Sequence, residues 1–317
     1  MNSEQFVPFT SFFWGLDTIR SEFSSYAALI NAANAIINCY DEMHSNNIFG
    51  GIDDECIKIN PDSGEVKIQR KSNNVSLKYK APELITGVVP DDNIDTDNFT
   101  LGVLLFRLFF ADHPFEGRNS LATAPFVTEK MAEVLYGEQL LFVYSPTDKS
   151  NRPLSNLSPY LTSRWNKTPQ SLKDAFTQNF TDGIKNIKSR FSIQQWKELI
   201  ITVMDTGVFA NGQLYLINPD NLSTLPPECV IIKIDNRKIA LSDGGKLIVS
   251  YGETTTPLCA NVFVQNGINI LTFENITDDT WIIYKSDGSE KYIQPNEKAY
   301  LVSGDCIDFG SETGQVI

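Results

Sequence analysis

Two patterns of apolar residues divide the chain. From Ser21 to His44, apolar side chains recur every three or four residues, which is the period of an α-helix that buries one face. A second helix is predicted near Asp97, because a dense apolar run follows this aspartate. After about Asp205 the pattern changes to short apolar segments that are separated by turn residues. We therefore expect a helical domain over 1–205 and an all-β domain at the end of the chain.

The last third contains eight apolar segments of the length of β-strands. They are Val230 to Ile234, Lys238 to Leu241, Lys246 to Val249, Asn261 to Val264, Asn269 to Phe273, Trp281 to Tyr284, Ala299 to Val302 and Cys306 to Phe309. Strands of this length and spacing predict a β-sandwich over 227–317. Leu225-Pro226-Pro227 breaks the helical pattern, so the segment 206–226 is predicted to be a linker.

Several short motifs of the first domain follow the order found in protein kinases. The segment from Tyr79 to Glu83 ends in Ala-Pro-Glu, the helix near Asp97 contains Leu-Gly-Val-Leu, and Arg190 precedes Trp196 as in an Arg-Pro-x-x-x-x-Trp segment. The domain thus resembles the helical C-lobe of eukaryotic-type protein kinases. This resemblance implies a structural ion pair between Glu83 and Arg190. It also implies that a buried Asp97 anchors the backbone of the catalytic loop.

The loop that would carry catalysis is altered. Residues Phe49 to Ile59 align without a gap with His-Arg-Asp-Leu-Lys-Pro-Glu-Asn-Ile-Leu-Ile, which places Gly51 at the catalytic aspartate and Cys56 at the metal-binding asparagine. Arg70 takes the aspartate position of Asp-Phe-Gly. Phosphoryl transfer needs a carboxylate base and oxygen ligands for Mg²⁺, and these three residues supply neither. The resemblance therefore implies a pseudokinase without a bound metal or cofactor.

The N-lobe of a kinase has no counterpart here. That lobe supplies a Gly-rich loop and a strand lysine paired with a helix glutamate. About twenty residues precede the helix at Ser21, and they contain no lysine and one glycine. We expect a C-lobe without an N-lobe, and the sequence leaves open whether a longer native chain carries one.

A narrower resemblance covers roughly the first two thirds of the chain. Leu135-Tyr136-Gly137, the segment from Phe142 to Pro153, and Arg164-Trp165 before Pro169 are similar to one bacterial kinase subfamily. Its members are encoded beside von Willebrand A-domain proteins and metal-dependent protein phosphatases in stress-response clusters. The resemblance implies protein partners of these kinds: a von Willebrand A-domain protein, a protein phosphatase or a kinase.

The end of the β domain resembles a forkhead-associated domain. Leu301 to Gly310 matches the L-x-x-G-D-x-I-x-x-G strand that closes such a sandwich. That family binds phosphothreonine through an arginine and a Ser-x-x-His loop, but both histidines, His44 and His113, lie in the first domain. Arg237 is the single arginine of the second domain, expected in a hairpin turn, and is the candidate phosphopeptide contact. A sandwich that docks a partner is the favoured interpretation.

Composition narrows the classes of partner and ligand. The formal net charge of -13 disfavours nucleic acid and anionic membrane as partners. The five scattered cysteines form no Cys-x-x-Cys pair, which favours reduced thiols in a cytoplasmic protein over a zinc site or disulfides. The acidic run Asp53-Asp54-Glu55 is interpreted as solvated.

The predicted fold class is multidomain α+β: a mainly α-helical kinase C-lobe without an N-lobe, followed by an all-β, forkhead-associated-like sandwich. The predicted function is that of a catalytically inactive scaffold or regulatory binding protein in a bacterial phosphorylation or stress-signalling system. Two alternatives stay open. The chain is the C-terminal part of a Ser/Thr protein kinase, or it is an adaptor that binds phosphopeptides through the sandwich.

Overall fold

The computed structural model describes residues 6–13, 21–121, 128–154, 158–210, 213–216, 226, 229–235, 237–243, 246–248, 259–265, 270–310 and 312–317. Over these residues the protein is a mixed α and β protein that contains a six-stranded antiparallel sheet. The chain divides into two compact units. The first comprises Met1–Glu22, Ala32–Asn60 and Glu65–Ile201, and the second comprises Phe23–Asn31, Pro61–Gly64 and Thr202–Ile317.

The helices lie in the first two thirds of the chain. They are α1 (Tyr26–Ser45), α2 (Pro82–Ile85), α3 (Ile94–Phe110), α4 (Arg118–Leu121), α5 (Glu129–Glu133), α6 (Pro159–Asn166), α7 (Gln170–Lys185) and α8 (Ile193–Val203). Short 3-10 turns occupy Phe9–Phe12, Asp54–Cys56 and Ile187–Ser189, and a π turn occupies Val134–Glu138. A small antiparallel sheet joins β1 (Val7–Pro8), β2 (Ile57–Ile59) and β3 (Val66–Ile68) in that order.

Helix α1 confirms the amphipathic pattern that the sequence predicted. It begins at Tyr26, five residues after the predicted start, and ends at Ser45. All but Ala27 of the seven apolar positions that predicted its buried face are buried; the seven are Phe23, Tyr26, Ala27, Ile30, Ala33, Ile37 and Tyr40. Leu29 and Ile36 are buried as well, so the apolar face is broader than the pattern predicted.

Helix α3 is the central helix of the first unit. Its first turn is fixed by Asn93, whose side chain accepts the backbone N–H groups of Asp95 and Thr96, while the Thr96 hydroxyl accepts the N–H of Asn93. This reciprocal arrangement satisfies donors that a helix start leaves free. Asp97 therefore lies inside the first turn. Phe106 in the second half of α3 packs against the rings of Phe142, Phe176 and Phe180 among others, and this aromatic cluster forms the core around the helix.

The second unit contains two larger sheets. The six-stranded sheet has the order β12-β11-β14-β15-β6-β7 and the four-stranded sheet the order β13-β10-β9-β8, with antiparallel pairing throughout. The strands are β6 (Val230–Ile234), β7 (Arg237–Leu241), β8 (Lys246–Ile248), β9 (Cys259–Gln265), β10 (Ile270–Asn275), β11 (Trp281–Tyr284), β12 (Glu290–Ile293), β13 (Lys298–Leu301), β14 (Cys306–Asp308) and β15 (Thr313–Val316). Side chains from both sheets form one hydrophobic cluster that includes Ile232, Leu271, Phe273, Trp281 and Ile307.

All eight strands predicted for the second unit are present, and the described residues of this unit contain four further strands that were not predicted. Two of them form a hairpin, β4 (Gly207–Ala210) with β5 (Gln213–Leu216), inside the segment predicted to be a linker. This part of the segment is a hairpin because Val208 and Leu214 are buried, which gives it an apolar face. The residues 217–225 of the same segment lie outside the described ranges. The other two, β12 and β15, are short: three of four positions of β12 are exposed, and β15 alternates exposed and buried positions but contains a glycine.

Candidate functional site

The candidate site lies in the first unit, at the loop that follows α1. Asp97 of α3 is almost completely buried, and its carboxylate accepts the backbone N–H of Gly50 at 3.0 Å and 3.2 Å. The Nε2 atom of His44, at the end of α1, lies 2.9 Å from the same carboxylate. Asp97 therefore joins the end of α1, the following loop and α3, which is the anchoring position that the sequence assigned to it.

The structure brings Gly51, Cys56 and Arg70 together around this loop. The guanidinium of Arg70 donates from Nε to the carbonyl oxygen of Gly50 at 3.0 Å and from Nη2 to that of Phe49 at 2.8 Å. The Sγ atom of Cys56 lies 3.5 Å from the carbonyl oxygen of Gly51. Arg70 thus holds the loop through the backbone carbonyl groups of Gly50 and Phe49.

An open cleft of about 460 Å³ lies beside the loop. Arg70, Lys71 and Lys80 contribute cationic side chains to its lining, and Asp92 contributes its single carboxylate. Gly51 also lines the cleft, whereas Cys56 does not and is buried behind it. Partial burial, and then the nearby charge of Asp97, raise the pKa of Asp92.

Asp53 has a structural role that the sequence interpretation missed. It is fully buried, and it caps the 3-10 turn Asp54–Cys56 by accepting the N–H of Glu55 at 3.1 Å. Its other oxygen accepts hydrogen bonds from Lys71 at 2.7 Å and from the backbone N–H of Ser76 at 3.1 Å. Burial alone would raise the pKa of Asp53, but these donors outweigh burial and lower it. Its oxygens are engaged, so this carboxylate is not free for a metal or a substrate.

The acidic run Asp53-Asp54-Glu55 is therefore not a solvated cluster. Asp54 lies 3.4 Å from the Nη1 atom of the buried Arg107, and Glu55 lies 2.6 Å from Lys71. Only Glu55 is largely exposed, with 71 % of its side chain accessible. Hydrogen bonds to Asp53 and then to Glu55 raise the pKa of Lys71, so Lys71 stays protonated and these two carboxylates balance its charge. An Asp immediately before a helical turn, which accepts the N–H two residues further on, is a capping signal that could have identified Asp53.

The Cys56 thiol is not set up as a nucleophile. Burial raises its pKa, and the thiol donates to the carboxylate of Asp53 at 3.3 Å. A reactive cysteine requires the thiolate, which cationic surroundings stabilise and burial disfavours. Cys56 is a buried thiol within the capped turn.

The backbone at Gly51 leaves no room for a side chain. Its φ is +82°, and a Cβ atom built there would lie 2.6 Å from the carbonyl oxygen of Lys71 and 3.3 Å from the Nε atom of Arg70. A Cβ contact below 3.0 Å with a backbone atom requires the backbone to shift. The position aligned with a catalytic aspartate is closed to any carboxylate in this conformation.

Glu83 and Arg190 form the ion pair that the sequence predicted. The two guanidinium nitrogens Nη1 and Nη2 lie 2.5 Å and 2.8 Å from the two carboxylate oxygens, and both side chains are buried. Arg190 also donates to the carbonyl oxygens of Gly183 at 2.9 Å and Asp95 at 2.9 Å. The pair therefore links α2, α3 and the end of α7.

The prediction that Arg237 of the second unit lies in a hairpin turn is wrong. Arg237 is the first residue of β7 and lies opposite Ile234. Its guanidinium forms a bidentate pair with Asp205, with distances of 2.7 Å from Nε and 2.8 Å from Nη2. A carboxylate thus occupies the two donor positions that a phosphate would use.

No protein-family model matches this chain, and no curated protein matches it in sequence. The described residues contain no group of three or more His, Cys, Asp or Glu side chains that could hold a metal ion. Within the same ranges, none of the helices has both the length and the apolar character needed to cross a bilayer.

Proposed function

We propose that this chain is a catalytically inactive, kinase-like binding protein that acts through its surfaces in a bacterial phosphorylation or stress-signalling system. The first unit would correspond to a kinase C-lobe without an N-lobe, and the second to a forkhead-associated-like sandwich. The order of motifs along the first unit, the buried pair of Glu83 with Arg190 and the contact of Asp97 with the N–H of Gly50 support this assignment.

The conformation of Gly51 carries the proposal. A kinase needs a carboxylate that accepts the proton of the substrate hydroxyl. At Gly51 the backbone oxygen of Lys71 occupies the space of a Cβ atom, and Arg70 occupies the neighbouring position with a cation that repels Mg²⁺. The loop is held by hydrogen bonds that would have to break before a carboxylate fitted. In this proposal the backbone conformation at Gly51, and not only the identity of the side chains, accounts for the loss of phosphoryl transfer.

The partners remain protein partners in this proposal. The acidic chain, with its net charge of -13, favours protein over nucleic acid and anionic lipid surfaces. The resemblance of the first two thirds favours a von Willebrand A-domain protein, a protein phosphatase or a kinase, in the cytoplasm. The adaptor alternative through Arg237 receives no support from its pairing with Asp205.

The test is thermal unfolding with ATP alone and with ATP plus Mg²⁺ or Mn²⁺. A ligand that binds only the folded state raises the melting temperature, so we expect no metal-dependent rise at millimolar nucleotide. Asp92→Asn removes the one carboxylate of the cleft lining, and Asp91→Asn is its exposed neighbour and control. A metal-dependent rise that Asp92→Asn abolishes and Asp91→Asn preserves would overturn the proposal and restore the kinase alternative.

A further inference from the structure

One end of the six-stranded sheet carries an outer face that is distinct from its buried face. On strands β12, β11 and β14, the residues Trp281, Ile283, Ile293 and Ile307 are buried in the core cluster. Because side chains alternate along a strand, the intervening residues point away from the core. We define the tyrosine face by five of these outward residues: Ile282, Tyr284, Glu290, Tyr292 and Asp308.

The strand register places these five side chains next to one another. Ile282 lies between Tyr292 on β12 and Asp308 on β14, and Tyr284 lies opposite Glu290. Tyr284 and Tyr292 are diagonal neighbours on paired strands, a separation that aromatic side chains span. Tyr292 is 57 % exposed and Tyr284 is 39 % exposed. The two accessible rings therefore form one continuous patch. A continuous exposed patch indicates an interaction site, whereas single scattered apolar residues are normal on a protein surface.

The patch is acidic as well as aromatic. The carboxylates of Glu290 and Asp308 flank the rings, and neither forms an ion pair with a described residue; Asp308 accepts only the backbone N–H of Gly310, at 2.7 Å. Slight desolvation, and then the charges of Asp308 and Glu290, raise the pKa of Tyr284, which is consistent with their proximity. The face therefore offers ring surfaces and negative charge, and no described residue pairs a cation with its carboxylates.

The same unit contains a tyrosine whose ring already has a cation. Tyr300 on β13 is 51 % exposed, and the Nζ atom of Lys291 lies 5.8 Å from its ring centroid. An ammonium or guanidinium within about 6 Å of a ring is attracted by the ring quadrupole. Among the described residues, no comparable cation faces Tyr284 or Tyr292. The ring of Tyr300 therefore already has a cation beside it, whereas no described residue supplies one to the rings of the tyrosine face.

We propose that the tyrosine face binds an extended, positively charged segment of a partner protein. Arginine fits this face best, because its planar guanidinium stacks on an aromatic ring and pairs with a carboxylate. Tyr292 and Glu290 are two residues apart on the same face of one strand, a spacing of about 7 Å. Alternate residues of an extended peptide have the same spacing, so basic residues at every second position match the face.

The charge of the chain favours this occupant over a second copy. Two copies of a protein with a net charge of -13 repel each other, and an acidic face meeting its own copy adds to that repulsion. A basic segment is attracted from a distance and then held by the rings. This inference concerns the second unit alone, and it does not depend on the kinase-like assignment of the first.

The test uses a fluorescent peptide of alternating Arg and Thr residues, with fluorescence anisotropy measured on the full chain. We expect binding that weakens in salt, and a Kd that rises about threefold for each of Tyr284→Leu and Tyr292→Leu, because leucine keeps an apolar surface and loses the ring. Tyr292→Phe keeps the ring face and should preserve the Kd. Glu290→Gln should raise the Kd about twofold.

Two controls separate a built face from general attraction to an acidic protein. Tyr300→Leu removes an exposed tyrosine outside the face, and Glu138→Gln removes an exposed charge from the first unit. Both should leave the Kd unchanged. Absence of binding, an unchanged Kd in both tyrosine-to-leucine variants of the face, or an equal effect of Glu138→Gln and Glu290→Gln would overturn the proposal. Self-association by sedimentation that Tyr292→Leu abolishes would also overturn it, since it would assign the face to a second copy.

Discussion

Single residues set the chemistry of the cleft. At Gly51 a backbone conformation with φ of +82° excludes a side chain, and at Arg70 a guanidinium binds the carbonyl groups of Phe49 and Gly50. Asp53, which a sequence pattern placed in solvent, is buried and engaged by Lys71. Each of these residues supports the loop from within. In this conformation the loop has no room for a side chain at Gly51, the position at which a kinase catalytic loop would need a carboxylate.

Gly51→Ala tests this reading of the loop. The left-handed backbone costs a non-glycine residue about 1 to 2 kcal/mol, and the overlap with the Lys71 carbonyl adds a packing cost of about 1 to 3 kcal/mol. We expect the free energy of unfolding to fall by about 3 kcal/mol in urea denaturation. Gly87→Ala is the matched control, because Gly87 has a φ of +74° and nothing within 4 Å of a built Cβ atom, so it should cost only about 1 kcal/mol. Equal losses in the two variants would show that the Lys71 contact is not restrictive.

Secondary-structure elements of the first unit are tied by buried polar contacts as well as by apolar packing. Asp97 connects α3 to the loop after α1, and Arg190 connects α2, α3 and the end of α7. A buried ion pair adds little stability over an apolar pair, but removal of one partner leaves the other charge buried and unpaired. These contacts fix which elements lie together.

Glu83→Gln should therefore destabilise the protein strongly, even though glutamine is nearly the same size. We expect the free energy of unfolding to fall by about 3 to 5 kcal/mol, because Arg190 loses its counter-charge in a buried position. Asp41→Asn is the control: its partner Lys197 is 2.6 Å away, but the Asp41 side chain is 52 % exposed, so the loss should stay below about 1 kcal/mol. Chemical denaturation of both variants checks the contrast. Similar losses would contradict a buried, uncompensated charge at Arg190.

At the scale of the whole molecule, acid stability reflects a buried histidine. His113 is fully buried, its Nε2 atom lies 2.9 Å from the carbonyl oxygen of Lys78, and its Nδ1 atom accepts the backbone N–H of Phe115 at 3.3 Å. These partners fix the neutral tautomer with the proton on Nε2, since a proton on Nδ1 would face another N–H. Burial lowers the pKa of His113 to about 3.

The expected consequence is a loss of stability below neutral pH. Above a pH of about 6.5, His113 is neutral in both the folded and the unfolded state and contributes no slope. As the pH falls from about 6.5 towards the folded pKa of about 3, the unfolded state binds the proton first, so the free energy of unfolding falls by up to about 1.4 kcal/mol per pH unit. His113→Gln does not titrate and should flatten this part of the curve, whatever its cost at pH 8. Parallel curves for the two proteins in urea titrations across this range would contradict the prediction.

The sequence alone determined the classes of elements and their order. Helical periodicity located α1 and the apolar run located α3, while alternation and turn residues located eight strands, because local patterns record which faces are buried. It missed β12, in which three of four positions are exposed, β15, which contains a glycine, and the pair of β4 with β5, although Asn211-Gly212 between those two strands is a hairpin signal. The position of Glu83 opposite Arg190 was also predictable, from the order of motifs.

Tertiary structure decided what the residues of the cleft and the sheet surface do. Asp53 and Lys71 are 18 positions apart and meet only because the chain returns past its own loop. The exclusion of a side chain at Gly51 depends on that same return, and the pairing of Arg237 with Asp205 depends on contacts 32 positions apart. Likewise, only strand register brings Tyr284, Tyr292 and Glu290 onto one face. Sequence patterns report local burial, whereas sites are built from distant residues whose proximity depends on the packing of the whole fold.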